Sequence, residues 1–160
     1  MAAKKKKQAA RRAAAKPKAK AAPATRALKK RKQPETLRVR NLGAGITVSD
    51  VHKSLEWYTK VLGFVAGDKW EQDGKLMGVE VRAGSASLWI NQDDWAKGRD
   101  RVKGVGVRFY CTTAQDVTKL AEGIKARGGK LDHEPMKRSW GGEDFGITDP
   151  DGFKITIQTL

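Results

Sequence analysis

Few residues in this chain could make or break a bond. There are two histidines, His52 and His133, and one cysteine, Cys111. His133, in "LDHEP", has the imidazole of a general base, but spacing ties no nucleophile or acid to it. His52 falls in the first turn of a helical pattern and reads as a surface residue. Glu143 and Asp144 are adjacent. On a strand they point to opposite faces, so they do not form a catalytic carboxylate pair. Cys111 reads as a buried small hydrophobe. "GAG" (43–45) and "GVG" (104–106) lack the spacing and following helix of a phosphate loop. What remains are groups that bind rather than react. Thr47, Trp89, Asn91, Arg108, Tyr110, Lys154, Thr156 and Gln158 share the polar faces of alternating segments. Trp140 precedes two glycines in "SWGGEDF", where either a loop that closes on a ligand or a plain turn fits.

The elements that must position these groups follow from periodicity. "NLGAGITV" (41–48) alternates, with Ala44, Ile46 and Val48 on one face and Gly43, Gly45 and Thr47 on the other. In "SDVHKSLEWYTKVLGF", Ser49 or Asp50 caps a helix, Val51, Leu55, Tyr58 and Leu62 form its apolar stripe, and Gly63 ends it. Trp57 and Tyr58 are expected in the core. Strands follow near 64–71, 76–83 and 86–91, with hairpin signals at Asp73-Gly74 and Ala83-Gly84. "QDDWAKGRDRVK" (92–103) has mixed charge and reads as a solvated linker. The order then restarts. A strand at 104–111 carries Val107, Phe109 and Cys111 on one face. A capped helix follows and is closed by Gly128-Gly129, with strands near 130–136, 142–148 and 153–159. The last is introduced by the turn formers Asp149-Pro150-Asp151-Gly152. The expected fold is α+β: two βαβββ modules, at about 41–91 and 104–159, forming a curved mixed sheet with a cleft.

Charge is placed very unevenly. Residues 1–34 hold 14 Lys or Arg, 12 Ala, three Pro and no acid. Residues 35–160 keep 19 of the 33 cations against all 18 acids, a net of +1. The protein is thus expected to be a nearly neutral domain (37–160) behind a cationic arm (1–36) that is disordered alone. Lys4, Lys5, Lys6, Lys7, Arg11, Arg12, Lys29, Lys30, Arg31 and Lys32 suit non-specific DNA or RNA by counterion release. Without aromatics to stack on bases, the arm is not expected to read sequence. No apolar run suits a secretory signal or a membrane span. A lone cysteine fits a reducing, cytoplasmic setting, and the arm would allow nucleoid association.

The doubled pattern, opened by "VSDVHKSLEWYTKVLGF" and closed by "DPDGFKITI", resembles the vicinal-oxygen-chelate superfamily. That group includes glyoxalase I, extradiol dioxygenases, fosfomycin-resistance enzymes and bleomycin-resistance binding proteins. The resemblance implies metal ligands at four strand positions, which register here on Gly43, Trp89, Gly106 and Thr156. A glutamate usual at the last is Thr156 here. Glycines lack side-chain donors, indole offers only an N–H, and a lone hydroxyl is a poor ligand. No metal and no cofactor are therefore expected, and the chain is most similar to the metal-free, bleomycin-resistance-like members. Those sequester drugs, often in clefts at a homodimer interface. Arg108 and Lys154 in the cleft disfavour a cationic drug and favour an aromatic or anionic molecule. Trp89 would either face that ligand, fill the space left by Gly43 and Gly106, or pack at a dimer interface. The alternatives are a lyase or dioxygenase with a non-standard metal site or metal-independent chemistry at Arg108, Tyr110 or His133, and a nucleic-acid-associated protein whose domain only dimerises.

Overall fold

The computed structural model describes residues 42–159. The basic arm and its expected disorder lie outside the described residues. The first module is β1 (Ala44–Val48), α1 (Val51–Glu56), β2 (Val65–Gln72), β3 (Lys75–Ala83) and β4 (Ala86–Gln92). The second is β5 (Arg108–Thr112), α2 (Val117–Ala126), β6 (Leu131–Lys137), β7 (Glu143–Thr148) and β8 (Lys154–Gln158). Each module forms its own four-stranded mixed sheet, ordered β1-β4-β3-β2 and β5-β8-β7-β6. The first and last strands of each module pair in parallel, and the hairpin strands between them pair antiparallel.

Local chemistry explains the boundaries. Asp50 caps α1 by accepting from the His52 and Lys53 amides, which satisfies donors the helix leaves open. Past Glu56 the helix widens into a π-helical turn over Trp57–Leu62, which the helical stripe did not predict. Gly63, at φ +86°, ends it in the left-handed region that glycine adopts freely. Asp73 and Gly74 both have positive φ, at 51° and 71°, as a two-residue hairpin of the right twist needs.

The apolar faces of both sheets bury against the helices in one continuous core. Ile46, Val48, Val79, Val81 and Ile90 come from the first sheet and Phe145, Ile147 and Ile155 from the second. Tyr58 of the π turn and Val117, Ala121 and Ile124 of α2 join them. Trp57 is only partly buried at its edge.

The closing DPDG turn is tied to the segment around α1. The Tyr58 hydroxyl donates to Asp149 Oδ2 at 3.1 Å. The Phe153 and Asp151 amides donate to Asp149 Oδ1. Asp151 Oδ1 accepts from the Ser49 amide at 2.9 Å and from its hydroxyl at 2.6 Å. Burial pushes the Asp149 carboxyl up from its usual range despite these donors.

Two expectations fail. The segment 92–103 is not simply a solvated linker: its ends are buried. Asp93 is 4% exposed, and the Lys103 side chain is 5% exposed. Lys103 Nζ lies 2.8 Å from Asp93 Oδ2, donates to Ser49 Oγ at 2.9 Å and sits 4.4 Å from the Trp95 ring centre. A mixed-charge run looks the same whether its charges face water or one another. Second, β5 starts at Arg108, not 104. Gly104 and Gly106 stand at φ +72° and +74°, and Val105 and Val107 are exposed. The Gly-Val alternation imitates a strand, but positive φ breaks it. Val107 therefore does not share a buried face with Phe109 and Cys111.

Candidate ligand-binding site

The polar face of the second sheet is built in rows by strand register. Arg108, Lys154 and Thr148 are paired across β5, β8 and β7. The next row is Tyr110, Thr156, Gly146 and His133, and the third contains Gln158, Asp144 and Met136. Arg108 Nη1 donates to Thr156 Oγ1 at 3.0 Å. Thr156 is 5% exposed, whereas Tyr110 above it is 66% exposed. At the Arg108–Lys154 end, a cavity of about 550 Å³ is lined also by Val105, Val107 and Thr148.

Asp144 anchors the third row. It is 4% exposed, and Arg138 grips it with two parallel bonds, Nε to Oδ2 and Nη2 to Oδ1, each 2.7 Å. That guanidinium holds the Asp144 carboxyl below its usual range, against the effect of burial. His133 Nε2 lies 3.7 Å from Asp144 Oδ1, and its Nδ1 lies 3.1 Å from the Glu134 carbonyl. One ring nitrogen thus faces a carbonyl and the other a carboxylate, which orients the imidazole toward Asp144. Gly146 makes this possible: a Cβ there would come within 3.0 Å of the His133 ring. Glu143 faces the other way, where its Oε1 accepts from Thr118 of α2, as strand alternation requires.

The first sheet carries a different polar face. Gly45, Trp89 and Glu80 form one row, and Thr47, Asn91, Gly78 and Trp70 the next. Trp89 lies beside Gly45, whose added Cβ would be 3.9 Å from its own. Asn91 Nδ2 donates to the Ile46 carbonyl at 3.2 Å, and a Cβ on Gly78 would lie 2.9 Å from Asn91 Oδ1. Glu80, 8% exposed, accepts from Arg82 Nε at 2.6 Å, and Arg82 also reaches Asp68 at 3.1 Å. Arg82 and the Ser87 hydroxyl hold the Glu80 carboxyl below its usual range.

Thr47, Trp89 and Asn91 therefore share one sheet, and Arg108, Tyr110, Lys154, Thr156 and Gln158 the other. Trp140 stands apart in the β6–β7 connection, 73% exposed, with the Arg138 guanidinium 5.7 Å from its ring. Sequence reasoning missed the Arg138–Asp144–His133 cluster, although alternation through 142–148 puts Asp144 on the same face as Thr156. Of the four expected ligand positions, Trp89 lies on β4 and Thr156 on β8. Gly43 precedes β1 and Gly106 precedes β5. The residues that pair with Trp89 and Thr156 are Gly45 and Tyr110.

The expected set, Gly43, Trp89, Gly106 and Thr156, does not fit a divalent cation. Glycine has no side-chain donor, indole has only an N–H, and the lone Thr156 hydroxyl is neutral. Among the described residues no three His, Cys, Asp or Glu side chains are grouped to hold an ion. Among them, too, no helix is long and apolar enough to cross a membrane.

Comparison with known proteins agrees with the architecture. A lactoylglutathione lyase of Arabidopsis thaliana is 28% identical over 118 residues, 69% of this chain and 40% of the relative. The chain thus spans about two fifths of that relative's length. The solved structure of TioX from Micromonospora sp. ML1 superposes with a TM-score of 0.63 at 13% identity, covering 76% of this chain and 98% of the other. A glyoxalase/bleomycin resistance protein/dioxygenase superfamily member from Sphaerobacter thermophilus gives 0.59 at 23% identity, covering 74% and 94%. These two likenesses speak to the fold. The family model for the Glyoxalase/Bleomycin resistance protein/Dioxygenase superfamily matches residues 41–157, and with its two βαβββ modules the chain belongs to that superfamily.

Proposed function

We propose that this protein binds a small organic anion on the polar face of its second sheet. The observation that carries the reading is the pairing of Arg108 and Lys154 at the mouth of the cavity of about 550 Å³. Arg108 spends one donor on Thr156 and is otherwise exposed. Tyr110 offers a ring beside it, so an aromatic carboxylate meets both a cation and a flat apolar surface. Loss of a charge-assisted bond costs about tenfold or more in affinity. Calorimetric titration of the full chain with 1-naphthoate should therefore show saturable binding that weakens about tenfold in Arg108→Gln. Unchanged affinity in both Arg108→Gln and Lys154→Gln would overturn the reading.

Exposed Trp70, Tyr110, Val102 and Val105 support a homodimer, since a monomer rarely leaves so much apolar surface open. Light scattering after gel filtration tests this, and a monomeric mass would contradict it. We place the protein in the cytoplasm, where the arm associates with nucleic acid or the nucleoid. Its 14 cations without an acid support that, and affinity for random duplex should fall steeply with salt. Deleting residues 1–34 should abolish it.

A second reading, a glyoxalase-like lyase, draws on the similarity to a lactoylglutathione lyase. It requires a metal site other than the four strand positions. Metal content after incubation with Zn, Mn, Fe, Co and Ni separates the two readings, and a stoichiometric ion would favour the enzyme.

A further inference from the structure

A second cavity lies between the modules, away from both polar faces. Leu62–Val65, at the entry to β2, form one wall with the β3–β4 turn at 82–86. The end of β5 with Cys111, helix α2 with Leu120 and Ile124, and Ile157 of β8 form the other. Its volume is about 800 Å³, within the range of small-molecule sites. None of Trp89, Asn91, Arg108, Tyr110 or Thr156 lines it.

Its charge is one-sided. The lining contains two cations, Arg82 and Arg127, and no acid. Arg82 is taken by Glu80 and Asp68. Arg127 is not: Nε donates to the Val61 carbonyl at 2.9 Å, and its terminal nitrogens make no ion pair among the described residues. Glycine gives the guanidinium room on both sides. A Cβ on Gly63 would lie 3.8 Å from Nη2, and one on Gly123 would lie 3.2 Å from Nη1. A side chain tethered by its Nε presents its remaining donors as a fork that suits a carboxylate or sulfonate. The apolar wall beside it, formed by Leu62, Phe64, Leu120, Ile124 and Ile157, suits a hydrocarbon or aromatic body.

We propose that this inter-module cavity binds an amphiphilic monoanion, with the headgroup on Arg127 and the apolar body along the Leu62–Ile124 wall. The site is independent of the one on the second sheet. Cys111 is the chain's only thiol and lines the cavity, so it reports occupancy locally, whatever the basic arm binds. Alkylation of the full chain by N-ethylmaleimide is followed by intact mass, with dodecanoate and its neutral counterpart dodecanol as probes, both below their aggregation concentrations. Dodecanoate should protect Cys111 at a concentration about tenfold lower than dodecanol does, the effect of one charge-assisted contact. Arg127→Gln should erase that difference and leave dodecanol unchanged. Ala86→Trp, which fills the rim, should abolish protection by both. Equal protection by the two probes in the parent protein, no protection by dodecanoate, or full dodecanoate protection in Arg127→Gln would each overturn the proposal.

Discussion

Each sheet buries one carboxylate on its polar face and holds it with an arginine, but the grips differ. In the first sheet Glu80 and Arg82 are two residues apart on the same strand, and Arg82 is half exposed and shared with Asp68. In the second, Arg138 reaches in from the end of β6 and binds Asp144 bidentately, with His133 alongside. The surroundings differ too. The first face is aromatic, with Trp89 and Trp70; the second adds Arg108 and Lys154. The two modules share a scaffold and a core, while their exposed rows differ. Pairing geometry and apolar alternation constrain the backbone, and the outward-facing positions are free to change.

The shared core can be tested hardest. Phe145 is fully buried in the second module, and Phe145→Ala should cost about 3–5 kcal/mol. Four of the five tryptophans (57, 70, 89 and 95) precede the second module. If the core is common, tryptophan fluorescence and circular dichroism will report the same lowered midpoint in denaturant. Two separate transitions would break the picture of one unit.

Tyr58→Phe probes the link from the first helix to the last turn. It should cost about 1–2 kcal/mol, the loss of one buried hydrogen bond. It should also change the alkaline limb. Burial and the Asp149 charge raise the Tyr58 phenol well above its ordinary 10.0. Its contribution is therefore full below pH 10 and is lost as pH rises beyond it, because the unfolded state ionises first. The variant should lack that decline in urea unfolding measured from pH 9 to 11, a range of about one unit either side of the ordinary tyrosine value.

A smaller effect contrasts the two hairpins. Gly74→Ala forces a side chain into φ +71° in the tight β2–β3 turn and should cost about 1 kcal/mol. Gly141, at φ +90° in the looser β6–β7 connection, should cost no more. A larger loss at Gly141 would mean that the Trp140 turn is the more constrained.

The smallest effect compares the grips. Asp144 titrates below its ordinary 3.8 in the folded state, so its contribution is present above that value and lost as pH falls through the folded one. Arg138→Gln should move the acid-unfolding midpoint to higher pH. Arg82→Gln should move it less, because Arg82 is half exposed and water screens its charge. The reverse order would mean that the single-strand grip is the stronger. Asp149, five residues after Asp144, is shifted the opposite way by burial, so the protein's acid limb reflects both.

The βαβββ repeat, the Asp50 cap, the Asp73-Gly74 hairpin and the core faces of β1, β4 and β8 were legible in the residues. Each depends on neighbours within a turn or a strand, where periodicity and backbone preference act. Thr47, Trp89 and Asn91, and Arg108, Tyr110, Lys154, Thr156 and Gln158, fell on polar faces for the same reason. The π turn, the true start of β5 and the clustering of Arg138, Asp144 and His133 were not legible. Sequence by itself determined the doubled module, its apolar and polar faces, and a nearly neutral domain behind a basic arm. Tertiary structure alone decided that Lys103 would be buried between Asp93 and Ser49, that Asp149 would receive Tyr58, and that a cavity would open between the modules. Those outcomes join residues tens of positions apart, and only long-range packing in three dimensions brings such partners within hydrogen-bond or contact distance.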